Sequence, residues 1–262
     1  MIPKKIHYCW FGSQPMSQTI QECIESWKKH LPDFELILWN ESNSDLRHPF
    51  AQQALKDKKW AFVSDYVRLK VLSEQGGVYL DTDMLLLKDF SELLDQPCFV
   101  GLESKTYISC GVIGAEKGHS YILNCLKYYD TVDVLKPVNY KNLIIPKIFT
   151  SVFKKTYQTE ALEAKPYSDI LILDVQAFYA YPNPDSKLRR KENDYLIYVT
   201  EASYAVHLWA RSWKGYSEFQ LIHQRRYWKA FLVILKNGNH KKLEPKKYYG
   251  KLLSTIKTAI FG

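Results

Sequence analysis

The sequence has no CxxC pair, no internal repeat, no low-complexity tract and no apolar run near the roughly 18 residues a membrane-spanning helix needs. Each absence removes a class of protein. Five cysteines (Cys9, Cys23, Cys98, Cys110, Cys125) are odd in number and widely spaced, so neither a disulfide framework nor a cysteine zinc site is indicated. A reduced, cytoplasmic setting is the expectation, with peripheral contact at the inner face of the cytoplasmic membrane as its variant. The opening MIPKKIHYCWFG carries lysines without the apolar core of a secretory signal, so export by such a signal is not expected. No recognised nucleic-acid motif occurs, and no nucleic acid is expected as partner.

What is present is enough apolar material for one large core: 262 residues, 46% hydrophobic and 15% aromatic. The net charge of +8 is unevenly spread. From Arg225 onward ten Lys or Arg face Glu244 alone, a local +9 that leaves the remainder near −1. This asymmetry divides the chain into a body, residues 1–224, and a basic tail, residues 225–262. In the tail, RRYWKAFLVILKNGNHKK and KKYYGKLLSTIKTAIFG mix lysines with Trp228, Phe231, Tyr248, Tyr249 and Phe261. Such amphipathic helices suit an anionic membrane surface, and equally a solvated face packed on the body by its apolar stripe.

In the body, KKIHYCWF reads as a strand, SQTIQECIESWKKHLP as an amphipathic helix stopped by Pro32, and FELILWN as a second strand. KKWAFVSDYVRLKVLSEQGG has helical spacing through Val63, Val67 and Val71, with Gly76 and Gly77 suited to a left-handed ending. GVYLDTD follows as a strand. TYISCGVIGAEKGHS reads as a strand running into a helix start, and the lysine- and tyrosine-rich region 128–194 as helices and a strand with irregular links. Strands alternating with helices predict an α/β protein with a mainly parallel sheet covered by helices. Ligands gather beyond the carboxyl ends of such strands.

Asp81 and Asp83 sit at such an end. In extended chain residues i and i+2 point to one side, so two carboxylates converge where repulsion and desolvation are costly. A divalent Mg²⁺ or Mn²⁺ offsets that repulsion and leaves positions for phosphate oxygens of a nucleotide diphosphate. Alone, a DxD tripeptide is more often a solvated turn. Upstream, Asp65 and Arg68 are three apart on one helix face, which for an isolated pair means a weak surface ion pair.

Taken together, IPKKIHYCWFG, the SDYVRL to GGVYLDTD block, YISCGVIGAEKGHS and HLWARSW resemble the DXD-containing glycosyltransferases of family 32. That group includes bacterial capsule and lipopolysaccharide sugar transferases and yeast mannosyltransferases, with distant kinship to clostridial glucosylating toxins. The resemblance spans about residues 1–215. It implies a GT-A fold, a Rossmann-like mixed sheet, and retaining transfer of a hexose or N-acetylhexosamine to a saccharide acceptor, in bacterial surface polysaccharide synthesis or on a lipid-linked saccharide. The donor is a nucleotide sugar, UDP-linked first and GDP-linked next.

By position, the resemblance makes Asp81, Asp83 and His207 the metal ligands, Asp83 the more direct of the two carboxylates. Asp65, Arg68 and Asp83 are the catalytic set. Trp10, Asp65, Arg68, Tyr79, Asp81, Ser212 and Trp213 bind the donor, with Trp10 stacking on the base. The ordinary alternatives are core packing for Trp10 and a core histidine between Val206 and Leu208 for His207. Gly111 and Gly114 allow close approach to the sugar. Relatives often carry an asparagine where Ser109-Cys110 stands, so sugar preference stays open. Cys110 reads as a buried small hydrophobe, not a nucleophile. No carboxylate nucleophile is evident, which favours a front-face route. Tyr179, Tyr181 and His119 are acceptor-groove candidates, with packing as the favoured alternative. The competing function class is a nonenzymatic basic module that binds membrane or nucleic acid through the tail.

Overall fold

The computed structural model describes residues 1–183, 194–210, 218–223, 225, 227–237 and 245–261. The chain divides into two units, Met1–Ala210 and Arg211–Gly262.

The first unit opens with β1 (Lys5–Cys9), α1 (Gln18–His30) and β2 (Glu35–Trp39). The two strands pair in parallel from Lys5↔Glu35 to Cys9↔Trp39. Local chemistry explains α1. Ser17 caps its first turn by accepting from the Ile20 N–H, and Ile20, Cys23, Ile24 and Trp27 repeat on one buried face. Lys28, Lys29 and His30 complement the negative end of its dipole. The short α2 (Pro49–Lys56), with proline in its first turn, leads to α3 (Trp60–Gln75).

Helix α3 is buried on several faces at once, from Val63 and Asp65 through Arg68, Leu69 and Leu72 to Ser73. Its charged pair therefore lies in the interior, which removes the surface-ion-pair alternative. Gly76 and Gly77 end it with φ of +66° and +109°. Gly76 has an extended ψ of −170°, so the chain leaves the helix straight into β3 (Gly77–Leu80) instead of curling through the left-handed turn expected. A Cβ on Gly77 would lie 2.9 Å from both His7 Nε2 and the Lys5 carbonyl. Only glycine fits there.

After β3 come β4 (Met84–Leu86), β5 (Cys98–Ser104), β6 (Tyr107–Ala115), α4 (Ser120–Lys127), α5 (Ile145–Tyr157), β7 (Leu171–Leu173), α6 (Val175–Phe178) and β8 (Ala205–His207). The main sheet has the order β2-β1-β3-β6-β5-β7, and β4 pairs with β8 in a separate ribbon. β1 to β2, β1 to β3 and β5 to β7 are parallel, whereas β6 runs antiparallel to both β3 and β5. The sheet is thus mixed and mainly parallel, with helices over both faces.

Alternation along β3 divides two cores. Val78 and Leu80 join Ile6, Ile20, Trp27 and Phe99 on the α1 side. Tyr79 joins Val63, Val67, Ile113 and Phe149 on the α3 side. All five cysteines are free and buried, as expected for packing residues.

The second unit contains α7 (Glu218–His223), α8 (Tyr227–Asn237) and α9 (Pro245–Phe261). Leu221, Ile222, Ala230 and Ala259 form its small core, and Tyr248 donates to Glu218.

Candidate active site

The two aspartates follow β3, but they do not continue it. Asp81 N–H donates to the Gly111 carbonyl at 2.8 Å, extending the pairing with β6 by one residue. The chain then turns: the Asp81 carbonyl accepts from Met84 N–H at 3.0 Å, and β4 begins. The alternation rule holds for Tyr79 and Asp81, which both face α3. Asp83 reaches its position through the turn, so the carboxylates converge by a route other than the extended one expected.

β4 is held from two sides. On one, Trp27 Nε1 donates to the Met84 carbonyl at 2.6 Å and Ser26 Oγ accepts from Leu86 N–H at 2.9 Å. On the other, β8 pairs with Met84 opposite His207. This register brings a histidine 124 residues away to Asp83, Nε2 to Oδ1 at 3.0 Å. The Ala210 N–H donates to the other carboxylate oxygen at 2.8 Å. Between them Trp209 adopts a positive φ of 57°, uncommon for a non-glycine residue, and packs 3.9 Å from the His207 ring, centroid to centroid. Its Nε1 donates to the Tyr181 carbonyl at 2.8 Å.

Asp81 has a different set of partners. Its Oδ1 lies 3.2 Å from Arg68 Nη1 and accepts from the Tyr79 hydroxyl at 3.1 Å. Arg68 also pairs with Asp65 at 2.9 Å, donates to the Cys110 carbonyl at 2.7 Å and lies 4.4 Å over the Tyr79 ring. One guanidinium therefore serves two carboxylates. Burial, reinforced by Asp81 and opposed by Arg68, pushes the Asp65 carboxyl up to about 7. Arg68 itself is held well above its ordinary range: burial opposes its charge, but Asp81, Tyr79 and Asp65 outweigh burial. The two directions agree once the charges are counted, since one cation balances only one of the two acids.

At Asp83 burial again favours the neutral acid, but His207 and the Ala210 N–H overcome it and lower the carboxyl. The His207 imidazole is raised, with burial opposing and Asp83 prevailing. Gly111 completes the enclosure. A Cβ there would stand 3.1 Å from both Asp81 Oδ2 and the Tyr179 hydroxyl.

Ligand atoms of Asp81, Asp83 and His207 all lie within 4.8 Å of one another, a cluster that could hold a metal ion. The ring nitrogen that faces the carboxylates is His207 Nε2, the atom 3.0 Å from Asp83 Oδ1. The chemistry of the donor set fits a divalent ion: one imidazole nitrogen and two carboxylates suit Mn²⁺ or Mg²⁺ and leave positions for oxygen ligands.

Residues 17–100 match the family described as glycosyltransferase sugar-binding region containing DXD motif, a span that includes Asp65, Arg68, Asp81 and Asp83. Over that span the chain is similar to the DXD-type glycosyltransferases. Its sheet, mixed, mainly parallel and flanked by helices, is the architecture expected. Among curated relatives, mouse lactosylceramide 4-alpha-galactosyltransferase is 29% identical over 160 residues, 58% of this chain and 42% of its own length. Mannosyl phosphorylinositol ceramide synthase CSH1 of Saccharomyces cerevisiae is 28% identical over 135 residues, 48% of this chain and 35% of its own. The aligned part is thus well under half of either relative. Among solved structures, the PaToxG glycosyltransferase is 21% identical with a TM-score of 0.48, covering 60% of this chain and 70% of that one. A galactosyltransferase LgtC complex with donor and acceptor sugar analogs is 13% identical with a TM-score of 0.42, covering 94% and 99%.

In this chain Trp10 is half-buried at the carboxyl end of β1, with Nε1 donating to the Gln14 carbonyl at 2.7 Å. Tyr79 is fully buried beneath Arg68, so it acts on Asp81 and Arg68 from below. Ser212 and Trp213 lie outside the described residues. Tyr179 and Tyr181 are buried, which is the packing role favoured for them, and the Tyr179 hydroxyl accepts from Val112 N–H at 2.9 Å beside Gly111. His119 caps α4 and contacts the Asp169 carbonyl at 2.9 Å. Sequence reading missed Trp27, Ser26, Trp209 and the Ala210 N–H. Only the HLWARSW segment hinted at the last two.

Proposed function

We propose that this protein is a metal-dependent, retaining glycosyltransferase, moving a hexose or N-acetylhexosamine from a nucleotide sugar, UDP-linked in the first place, to a saccharide acceptor on a lipid. The observation that carries this is the convergence of Asp81, Asp83 and His207, with ligand atoms of all three within 4.8 Å of one another. Those three residues would hold Mn²⁺ or Mg²⁺, which when bound supplies positive charge against a leaving diphosphate.

The protein's own residues prepare the site. Arg68 keeps Asp81 oriented and neutralised through contacts at 3.2 Å and 2.9 Å to Asp81 and Asp65. The Ala210 N–H and His207 fix both oxygens of Asp83. Asp65 and Arg68 are assigned to the donor's hydroxyls and phosphates, and Trp10, at the end of a strand neighbouring β3, to its base. Tyr79 supports the donor site from beneath, and Ser212 and Trp213 are assigned to the phosphates. A front-face route, in which the leaving phosphate takes the acceptor proton, requires no protein nucleophile.

Two observations support a lipid-borne acceptor. The mouse and yeast relatives bear names specifying lactosylceramide and phosphorylinositol ceramide. In the second unit, Trp228, Phe231, Leu232 and Leu235 are 71%, 47%, 47% and 65% exposed at helical spacing on α8. That face, with the cationic tail residues, suits an anionic membrane. A lipid-linked precursor of a surface polysaccharide falls within the same acceptor class.

Incubation with UDP-sugars and Mn²⁺ should release UDP from at least one donor, and Asp83→Ala should abolish that release. Full activity in the variant refutes the site.

A further inference from the structure

A second cleft lies on the first unit, away from the aspartates, between the β5–β6 hairpin and α5. Its volume is about 540 Å³, within the roughly 300–1,000 Å³ usual for small-ligand sites. Thr106 and Tyr107 line it from the hairpin and the carboxylate of Glu160 from beyond α5; Lys147, Ser151, Lys154 and Lys155 line it from α5. The spacing of those four puts them on one helix face. Thr150, on the same face, anchors the helix to the hairpin by accepting from Ile108 N–H at 3.0 Å.

The charges are not balanced locally. Lys154 pairs with Glu160 at 3.5 Å, while no carboxylate among the described residues pairs with Lys147 or Lys155. Beside these ammonium groups are the hydroxyls of Thr106 and Ser151 and the Tyr107 ring, 38% exposed. Ammonium groups grip an anionic oxygen group, hydroxyls pair with sugar hydroxyls, and an aromatic face packs a pyranose ring. The cleft also has a defined relation to the aspartates. Tyr107 and Gly111 are both on β6, and Gly111 accepts from Asp81 N–H. Four residues of strand separate them by about 14 Å, and from Ile108 to Ala115 that strand is buried, so the cleft is a site apart from the aspartates.

We infer that this cleft is a binding site for an anionic saccharide, one bearing a phosphate or carboxylate, held by Lys147 and Lys155.

The test is a titration of the isotopically labelled full chain, without metal or donor, using phosphorylated lactose, sialyllactose and plain lactose. Amide shifts of Thr106, Tyr107 and Ser151 should follow the anionic sugars, with affinity about tenfold above that for lactose and falling as salt rises. The double variant K147E/K155E should lose that tenfold, with an otherwise unchanged spectrum confirming its fold; K29E, on α1, should lose nothing. Response to one anionic sugar but not the other identifies phosphate or carboxylate as the group held. Equal affinity for all three sugars, shifts elsewhere, or equal loss in K29E overturns the site. Because neither metal nor donor is present, the result is independent of UDP-sugar hydrolysis, which reports on the aspartates alone.

Discussion

Asp81 and Asp83 are two residues apart, yet their surroundings treat charge in opposite ways. Asp81 is neutralised by Arg68, a permanent cation with a second carboxylate, Asp65, on its other side. Asp83 is neutralised by an imidazole that carries charge only when protonated, aided by the Ala210 N–H. The first arrangement is a preformed scaffold whose charge hardly depends on what else is bound. In the second, a proton on His207 occupies the role a divalent cation would take. Catalytic sites need both: a part that holds shape, and a part whose charge balance is completed by a ligand.

The largest effect should come from the exchangeable half. Asp83→Ala should reduce Mn²⁺-dependent release of UDP by about 10³-fold or more, consistent with several kcal/mol of lost charge stabilisation, while far-ultraviolet circular dichroism stays unchanged. Chelation of the wild-type protein should give the same loss, restored by added Mn²⁺. A variant that loses its fold instead would erase the distinction between the halves.

The scaffold half should fail differently. Arg68→Met leaves two carboxylates without their buried cation and should lower stability by about 3–5 kcal/mol in urea titration. Asp65→Asn should cost far less, because the folded state already favours the neutral acid.

A pH series sharpens that contrast. The folded protein holds the Asp65 proton up to about 7, whereas the unfolded chain releases it near 3.8. Folding therefore takes up a proton between these values, and this group's contribution to stability is full below 3.8 and declines as pH rises through 7. Subtracting the Asp65→Asn stability profile from that of wild type should reveal this decline. A flat difference, or one rising with pH, would mean the Arg68 charge belongs to Asp65 and not to Asp81.

The smallest effect is expected at Tyr79→Phe, which removes a single hydroxyl from Asp81 while keeping the ring under Arg68. About 1 kcal/mol of stability and a several-fold weakening of Mn²⁺ binding by calorimetry are the expected outcomes. A loss as large as that of Asp83→Ala would make Tyr79 part of the exchangeable half.

Much of the fold was legible because it is local. The apolar spacing of Ile20, Cys23, Ile24 and Trp27 and the cap at Ser17 mark α1. The valine spacing and the two glycines mark α3 and the start of β3. β5 was not recognised, and β4 and β8, each three residues long, are too short to show a period. The antiparallel course of β6 between β3 and β5 also escaped, since pairing direction depends on partners distant in the chain. At the site, the acids and Arg68 announced themselves by spacing. His207 came through resemblance, and the contributions of Trp27 and Ser26 came from neither.

The sequence alone determined which groups were available and which elements they sit on: two carboxylates after a glycine-led strand, and Asp65 and Arg68 on one helix face. Tertiary structure decided their electrical character. Arg68 spans Asp65 and Asp81 only because α3 is buried against β3, and His207 meets Asp83 only because Met84 pairs opposite it across β4 and β8. Propensity and periodicity act over a few residues, whereas burial and strand register are set by the packing of everything in between.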